Sequence, residues 1–149
     1  MIYLDNSAST KPRKEVINVL VQTMEENYAN PDAIHDFSHK TLLKIKNAKK
    51  IISDYLKVEA DRIYFTAGGG DGNNLVLQGI INANSRIKKH LITTKIEHPS
   101  VYEVFKHYEN LGFEVDYLNV DKDGFIDLEE LENMIREDTV IVSVGAVNS

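Results

Sequence analysis

Residues 62–74, RIYFTAGGGDGNN, place three consecutive glycines, Gly68, Gly69 and Gly70, where an apolar strand-like run passes into a helix start. The first turn of a helix carries unpaired backbone N–H groups and the positive end of the helix dipole, so a phosphate or other anion is at home there. Glycine at this point opens backbone conformations closed to other residues and lets a ligand approach the main chain without meeting a side chain. A tight connection without a ligand has the same composition. The spacing matches neither familiar phosphate fingerprint: Asn73 stands where GxGxxG needs its last glycine, and no GK[ST] follows at P-loop distance. The residues describe an anion cup and leave its ligand open.

A second cluster is Lys95–Ser100, KIEHPS. His98 directly precedes Pro99, and proline is favoured at the first position of a helix, so His98 falls at a strand-to-helix corner. Its imidazole either caps that helix through a ring nitrogen or faces the anion cup, where it could stack on a planar ligand or exchange a proton near neutral pH. Among the other histidines, His90 opens a strand, His39 and His107 lie on helix surfaces, and His35 sits in a loop. Asn119–Glu130, NVDKDGFIDLEE, matches a calcium loop at Asn119, Asp121, Asp123, Gly124, Asp127 and Glu130. Phe113–Leu118 before it alternates like a strand instead of forming the required entering helix. The better reading is a turn at Asp121–Gly124 and a helix N-cap at Asp127 with Glu130 three residues on, and no metal site is assigned.

The elements that must hold these clusters follow from periodicity. After a short extended piece, Ile2–Asp5, Pro12 marks a helix start and Val16, Val19, Leu20 and Met24 recur at helical spacing. A loop at Asn30–Pro31 leads to a long helix over 36–56, whose Leu42, Leu43, Ile45, Ala48, Ile51, Ile52 and Tyr55 predict a broad buried face. Alternation then sets in: strand 62–66, helix 71–83, strand 90–94, helix 99–111, strand 113–118, helix 127–136 and strand 139–145. This order predicts crossover units and a mostly parallel sheet, an α/β layered fold with N-terminal helices. Ligands of such sheets bind at the carboxyl ends of the strands, which gathers 67–72, 94–98 and 147–149 at one edge. Val140–Val147 is an apolar strand of the buried type followed by only two residues, so either a partner covers an edge or the chain is the first part of a longer protein.

The 149 residues amount to one domain's worth. A formal charge of −6, with no basic stripe, argues against nucleic acid or an anionic membrane surface as the main partner. Zero cysteines remove disulfides, thiolate metal sites and thiol nucleophiles from these residues. MIYLDNSAST lacks a signal-peptide pattern and no apolar run reaches membrane-spanning length, so the cytoplasm is expected.

Taken in order, YLDNSAST (3–10), ANPDAIH (29–35), IYFTAGGGDGNN (63–74), KIEHPSV (95–101), DKDGFIDLEEL (121–131) and VIVSVGAVNS (140–149) resemble the cysteine desulfurases, NifS-like enzymes grouped with the class V aminotransferases. The resemblance covers the whole chain. It implies the three-layer large domain of pyridoxal-phosphate fold type I, incomplete here, with residues 1–14 a segment packing with a small domain and 15–149 the first part of the cofactor-binding domain. It implies pyridoxal 5′-phosphate as cofactor, with Gly69 and Gly70 contacting its phosphate, His98 stacking on its ring and shuttling protons, and Asn148 and Ser149 at the paired positions that reach the ring hydroxyl. Ser149 stands where the family has a second asparagine. The usual cup reads TSGATE or TSGGTE, so Ala67 replaces a serine, Gly70 a threonine, and Asp71 a glutamate.

By the same resemblance the activity is sulfur transfer from L-cysteine through a protein persulfide to an acceptor protein, as in iron–sulfur cluster assembly, by a homodimer. The family's Schiff-base lysine, its ring-nitrogen aspartate and its nucleophilic cysteine come later in the sequence, so these residues alone are expected to be inactive. Another class V enzyme, a selenocysteine lyase or an aminotransferase, is the neighbouring alternative. A truncated, non-catalytic relic acting through a partner is the other.

Overall fold

A computed structural model of the chain describes residues 2–87 and 89–147. It divides into two compact units, Met1–Phe65 and Thr66–Ser149.

The first unit is helical. α1 spans Lys14–Glu26, with Arg13 as N-cap and Pro12 one residue ahead of it. α2 spans Asp36–Leu56 and ends on Lys57 in the left-handed conformation, its N–H bonded to the Ser53 carbonyl. His35, expected only as a loop residue, is the N-cap of α2: its Nδ1 accepts the Ser38 N–H at 3.2 Å. The broad buried face expected of α2 is not buried within the described chain. Its buried residues are Ser38, Thr41 and Ser53, while Leu43, Ile51, Ile52 and Tyr55 are exposed. α1 likewise leaves Val16, Val19, Leu20 and Met24 exposed. Helical periodicity reports an apolar face, and whether that face is covered depends on contacts that periodicity does not specify.

The run 62–66 is the main departure from the sequence reading. Ala60–Arg62 forms a 3₁₀ turn and residues 63–66 continue without strand pairing. Tyr64 and Phe65 are exposed, so the segment is not a buried strand either. Its composition suits a strand, but a strand exists only where a neighbour pairs with its backbone, and no described strand does so.

The second unit holds the sheet. α3 spans Gly69–Asn84, β1 His90–Thr94, α4 Pro99–Asn110, β2 Glu114–Leu118, α5 Leu128–Met134 and β3 Thr139–Val142. The strand order is β2-β1-β3, and both neighbours pair with β1 in parallel, so three of the four expected strands form the predicted parallel sheet. All five residues of central β1 are buried. Leu91 packs with Leu77 and Ile81 of α3 and with Val101, Val104, Phe105 and Tyr108 of α4, and Val115, Val140 and Ile141 close the cluster from the flanking strands. The Tyr108 hydroxyl donates to Asn82 Oδ1 at 2.8 Å, which satisfies the polar end of a buried ring and ties α4 to α3.

Polar side chains fix the amino-terminal end of the sheet. His90, fully buried, bridges Thr139 Oγ1 at 2.8 Å and Asp116 Oδ2 at 3.0 Å, so one side chain on β1 joins both neighbouring strands. Nearby, Arg136 donates from Nη1 and Nη2 to the two oxygens of Glu114 at 3.0 and 2.8 Å. These hydrogen bonds, reinforced by the guanidinium charge, hold the Glu114 carboxyl below its ordinary range. The pair therefore supports the fold above the ordinary carboxylate range and is lost as pH falls through the lowered value. In Arg136→Ala, Glu114 is expected to titrate at its ordinary value, which a carboxyl-carbon NMR titration reads directly.

Candidate functional site

The glycine turn begins α3. Gly68 is the N-cap, with extended backbone at φ 171° and ψ −179°, and Gly69 and Gly70 are the first two helical residues. None of the three occupies the left-handed region, where only Gly112 and Gly124 are found among the glycines. Conformational freedom is therefore not why glycine stands here, contrary to half of the sequence rationale. The other half holds. A Cβ added at Gly68 or Gly69 would meet nothing within 4 Å, and one at Gly70 would meet only Ser100 Cβ at 3.7 Å, so the approach to the helix start is open.

The N–H groups of Gly69, Gly70 and Asp71 have no partner among the described residues, while Gly72 N–H bonds to the Gly68 carbonyl. Asp71 turns back and accepts the Ala67 N–H on Oδ2 at 3.0 Å, which fixes the entering chain in the manner of a capping box. The start of this sixteen-residue helix thus keeps three free donors pointing out of an uncrowded turn.

His98 is the N-cap of α4, with Pro99 following at the first helical position. Its Nδ1 accepts the Ser100 N–H at 3.1 Å and lies 2.8 Å from Ser100 Oγ. Ser100 Oγ also accepts from Asn73 Nδ2 at 2.9 Å. The capping role and the functional role of His98 are compatible, because capping uses Nδ1 and leaves Nε2 without a partner among the described residues. His98 lines a cavity of about 680 Å³ together with Asn73, Glu97, Val101, Phe125 and residues 143–147 after β3. That volume suits a small organic ligand.

Glu97 builds the other wall. Its Oε1 accepts the Thr94 hydroxyl at 3.0 Å and the Gly145 N–H at 2.7 Å, binding the carboxyl end of β1 to the chain leaving β3. A Cβ at Gly145 would stand 3.1 Å from Glu97 Oε2, so a side chain there would require the carboxylate to give by a few tenths of an ångström. The structure brings together the helix start with Gly69 and Gly70, His98, and the segment 143–147, at the expected strand edge. Asn148 and Ser149 lie outside the described residues. Asn73, Glu97 and Ser100 were not singled out by the sequence reading; the polar residue following His-Pro was the available hint for Ser100, and nothing local marks Glu97.

The calcium-loop pattern resolves as a turn. Asp121 Oδ1 accepts the N–H groups of Asp123 and Phe125, both at 2.9 Å, and Asp127 caps α5 by accepting from Glu129 and Glu130. Glu130 takes the Asn119 side-chain amide at 2.9 Å. The Asp121 and Asp127 carboxylates thus shape the turn and the helix start by accepting backbone N–H groups.

The family model described as Aminotransferase class-V matches residues 2–149. The chain belongs to the class-V aminotransferase family. Relatives of this family member include the cysteine desulfurase IscS of Dictyoglomus turgidum, 38% identical over 99% of the chain and 38% of the relative, and that of Methanosarcina thermophila, 41% identical over 99% of the chain and 37% of the relative. The mitochondrial cysteine desulfurase of Saccharomyces cerevisiae is 39% identical over 99% of the chain and 30% of its own length. Among solved structures, a NifS-like protein superposes with a TM-score of 0.90 at 32% identity, covering 93% of the chain and 38% of that structure. SspA in complex with cysteine gives 0.89 at 35% identity, covering 95% and 41%. The three-stranded sheet with its helices is thus an incomplete fold-type-I architecture, and this class-V chain spans under half the length of each of these relatives.

Proposed function

We propose that this chain is the N-terminal part of a pyridoxal-phosphate-dependent cysteine desulfurase-like enzyme, which moves sulfur from L-cysteine to a protein persulfide and on to an acceptor protein. The observation that carries the reading is the junction of an open, unpaired helix start with His98 through Asn73 and Ser100, beside a cavity of ligand size. The donor set fits the cofactor. Free N–H groups at Gly69, Gly70 and Asp71 suit a phosphate, and glycine removes the side chains that would block it.

When bound, pyridoxal phosphate supplies an electron sink for loss of a proton next to the substrate nitrogen. This chain's part is to hold and orient: Gly69 and Gly70 hold the phosphate end, His98 serves for stacking and for proton transfer through its unbonded Nε2, and Val101 and Phe125 give the cavity an apolar lining. Asn148 and Ser149 would serve the ring hydroxyl. With no cysteine in the sequence, the thiolate that receives sulfur must come from outside these 149 residues, which alone are not expected to turn over. The full enzyme is read as a cytoplasmic homodimer.

Ala67 and Gly70, where the family carries hydroxyls, give specific weight to a second reading as a selenocysteine lyase or aminotransferase of the same class. Presence of the nucleophilic cysteine in a longer reading frame separates the two. Cofactor binding is tested by titrating pyridoxal phosphate against tyrosine fluorescence, since seven tyrosines are present and no tryptophan. Quenching that saturates is expected; no change at high micromolar cofactor would remove the proposed role of the cup.

A further inference from the structure

We propose that the Ser100 hydroxyl, held by Asn73, is a positioning group that locks the His98 imidazole in the tautomer with its proton on Nε2, so that the unbonded nitrogen of this cavity-lining histidine is a donor. Hydrogen-bond direction decides the point. A serine hydroxyl has one proton. Asn73 Nδ2 can only donate, and at 2.9 Å it occupies a lone pair of Ser100 Oγ. The hydroxyl proton is then free to point to His98 Nδ1, 2.8 Å away. The same Nδ1 accepts the Ser100 backbone N–H at 3.1 Å. Two donors converge on one ring nitrogen, which must carry a lone pair, and the ring proton of the neutral imidazole resides on the other.

The origin of this chain of bonds gives it a further consequence. Asn73 lies one turn into α3, whose first residues are Gly69 and Gly70, while His98 and Ser100 open α4. The helix that carries the anion cup therefore also reinforces the tautomer of the histidine beside it. An anion that shifts the start of α3 would reach the imidazole through two hydrogen bonds. The tautomer follows from the geometry of this chain alone; its use in proton transfer rests on the function proposed above.

The test is the ring ¹⁵N spectrum of His98 in the 149-residue chain, by long-range proton–nitrogen correlation at a pH where the ring is neutral. The wild type is expected to show a protonated Nε2 and a pyridine-type Nδ1 shifted upfield by hydrogen bonding. In Ser100→Ala the backbone donor remains and the hydroxyl is lost, so the Nδ1 resonance should move downfield toward that of an unbonded nitrogen. Ser100→Thr, which keeps the hydroxyl, should restore the wild-type pattern, and Asn73→Ala should fall between. A wild-type proton on Nδ1, or Ser100→Ala rings indistinguishable from wild type, would overturn the proposal. Pyridoxal phosphate binding is read separately by fluorescence: loss of binding with the ring signature intact contradicts the proposed function and leaves the tautomer assignment standing.

Discussion

Gly70→Thr is expected to tighten pyridoxal phosphate binding by roughly tenfold to a hundredfold. A hydrogen bond to a charged group contributes about 1.5–3 kcal/mol, and each 1.4 kcal/mol is about a factor of ten in affinity. Position 70 can accept the side chain. Its backbone is helical with negative φ, and an added Cβ would meet Ser100 Cβ at 3.7 Å, an ordinary van der Waals contact. The substitution places a hydroxyl at the second residue of α3, beside the free N–H groups, where the resemblance puts the family's phosphate ligand. Ser and Thr are also well tolerated at helix starts, so little folding stability should be lost. Equilibrium binding of the cofactor to both proteins checks it. An unchanged or weaker affinity would mean that the phosphate does not sit at this helix start.

Phe105→Ala is expected to cost the second unit about 3–5 kcal/mol. The ring is wholly buried among Leu77, Ile81, Leu91 and Tyr108, at the meeting of α3, α4 and the central strand. Its removal leaves a cavity bounded by elements that are themselves pinned, by the Tyr108–Asn82 hydrogen bond and by the β1 pairings, so collapse around it is limited. Against a typical domain stability of about 5–15 kcal/mol that is roughly a fifth or more of the total. Urea unfolding should show a lower midpoint at similar slope. Tyr55→Ala, at a side chain 87% exposed, is the matched control, with an expected change within about 0.5 kcal/mol. Similar losses for the two would contradict the assignment of the core.

The parts of the fold legible in the sequence are those fixed by local pattern. The histidine-initiated strand 90–94 and the long helix 36–56 appear with the expected bounds, because the strand–helix alternation and the helical spacing are strong there. Helix 127–136 shortens to Leu128–Met134, with Asp127 as its cap as expected. Residues 62–66 failed because a strand is a relation between two segments, and the apolar composition of IYF says nothing about whether a neighbour exists. The glycine run does open a helix as expected, but not because of unusual backbone angles: its residues are ordinary in φ, and what they provide is space.

The site was legible at its corners and not in its connections. Gly69, Gly70 and His98 stand out by residue type at helix starts. Asn73 and Ser100 are 27 residues apart, and Glu97 and Gly145 are 48 apart, so the bonds that assemble the site are long-range and leave no local spacing to read. His35 was missed as a cap because histidine is not among the usual capping residues, although its Nδ1 accepts a backbone N–H as an asparagine would.

The central claim is that the start of α3 holds the phosphate of pyridoxal phosphate. Comparing the affinities of pyridoxine 5′-phosphate and pyridoxine by equilibrium dialysis tests it most directly, because neither carries the aldehyde that reacts with surface lysines. Binding at least about tenfold tighter for the phosphorylated form, with inorganic phosphate competing, is the expected result. Equal affinities for the two, or no retention of either at high micromolar concentration, would contradict it.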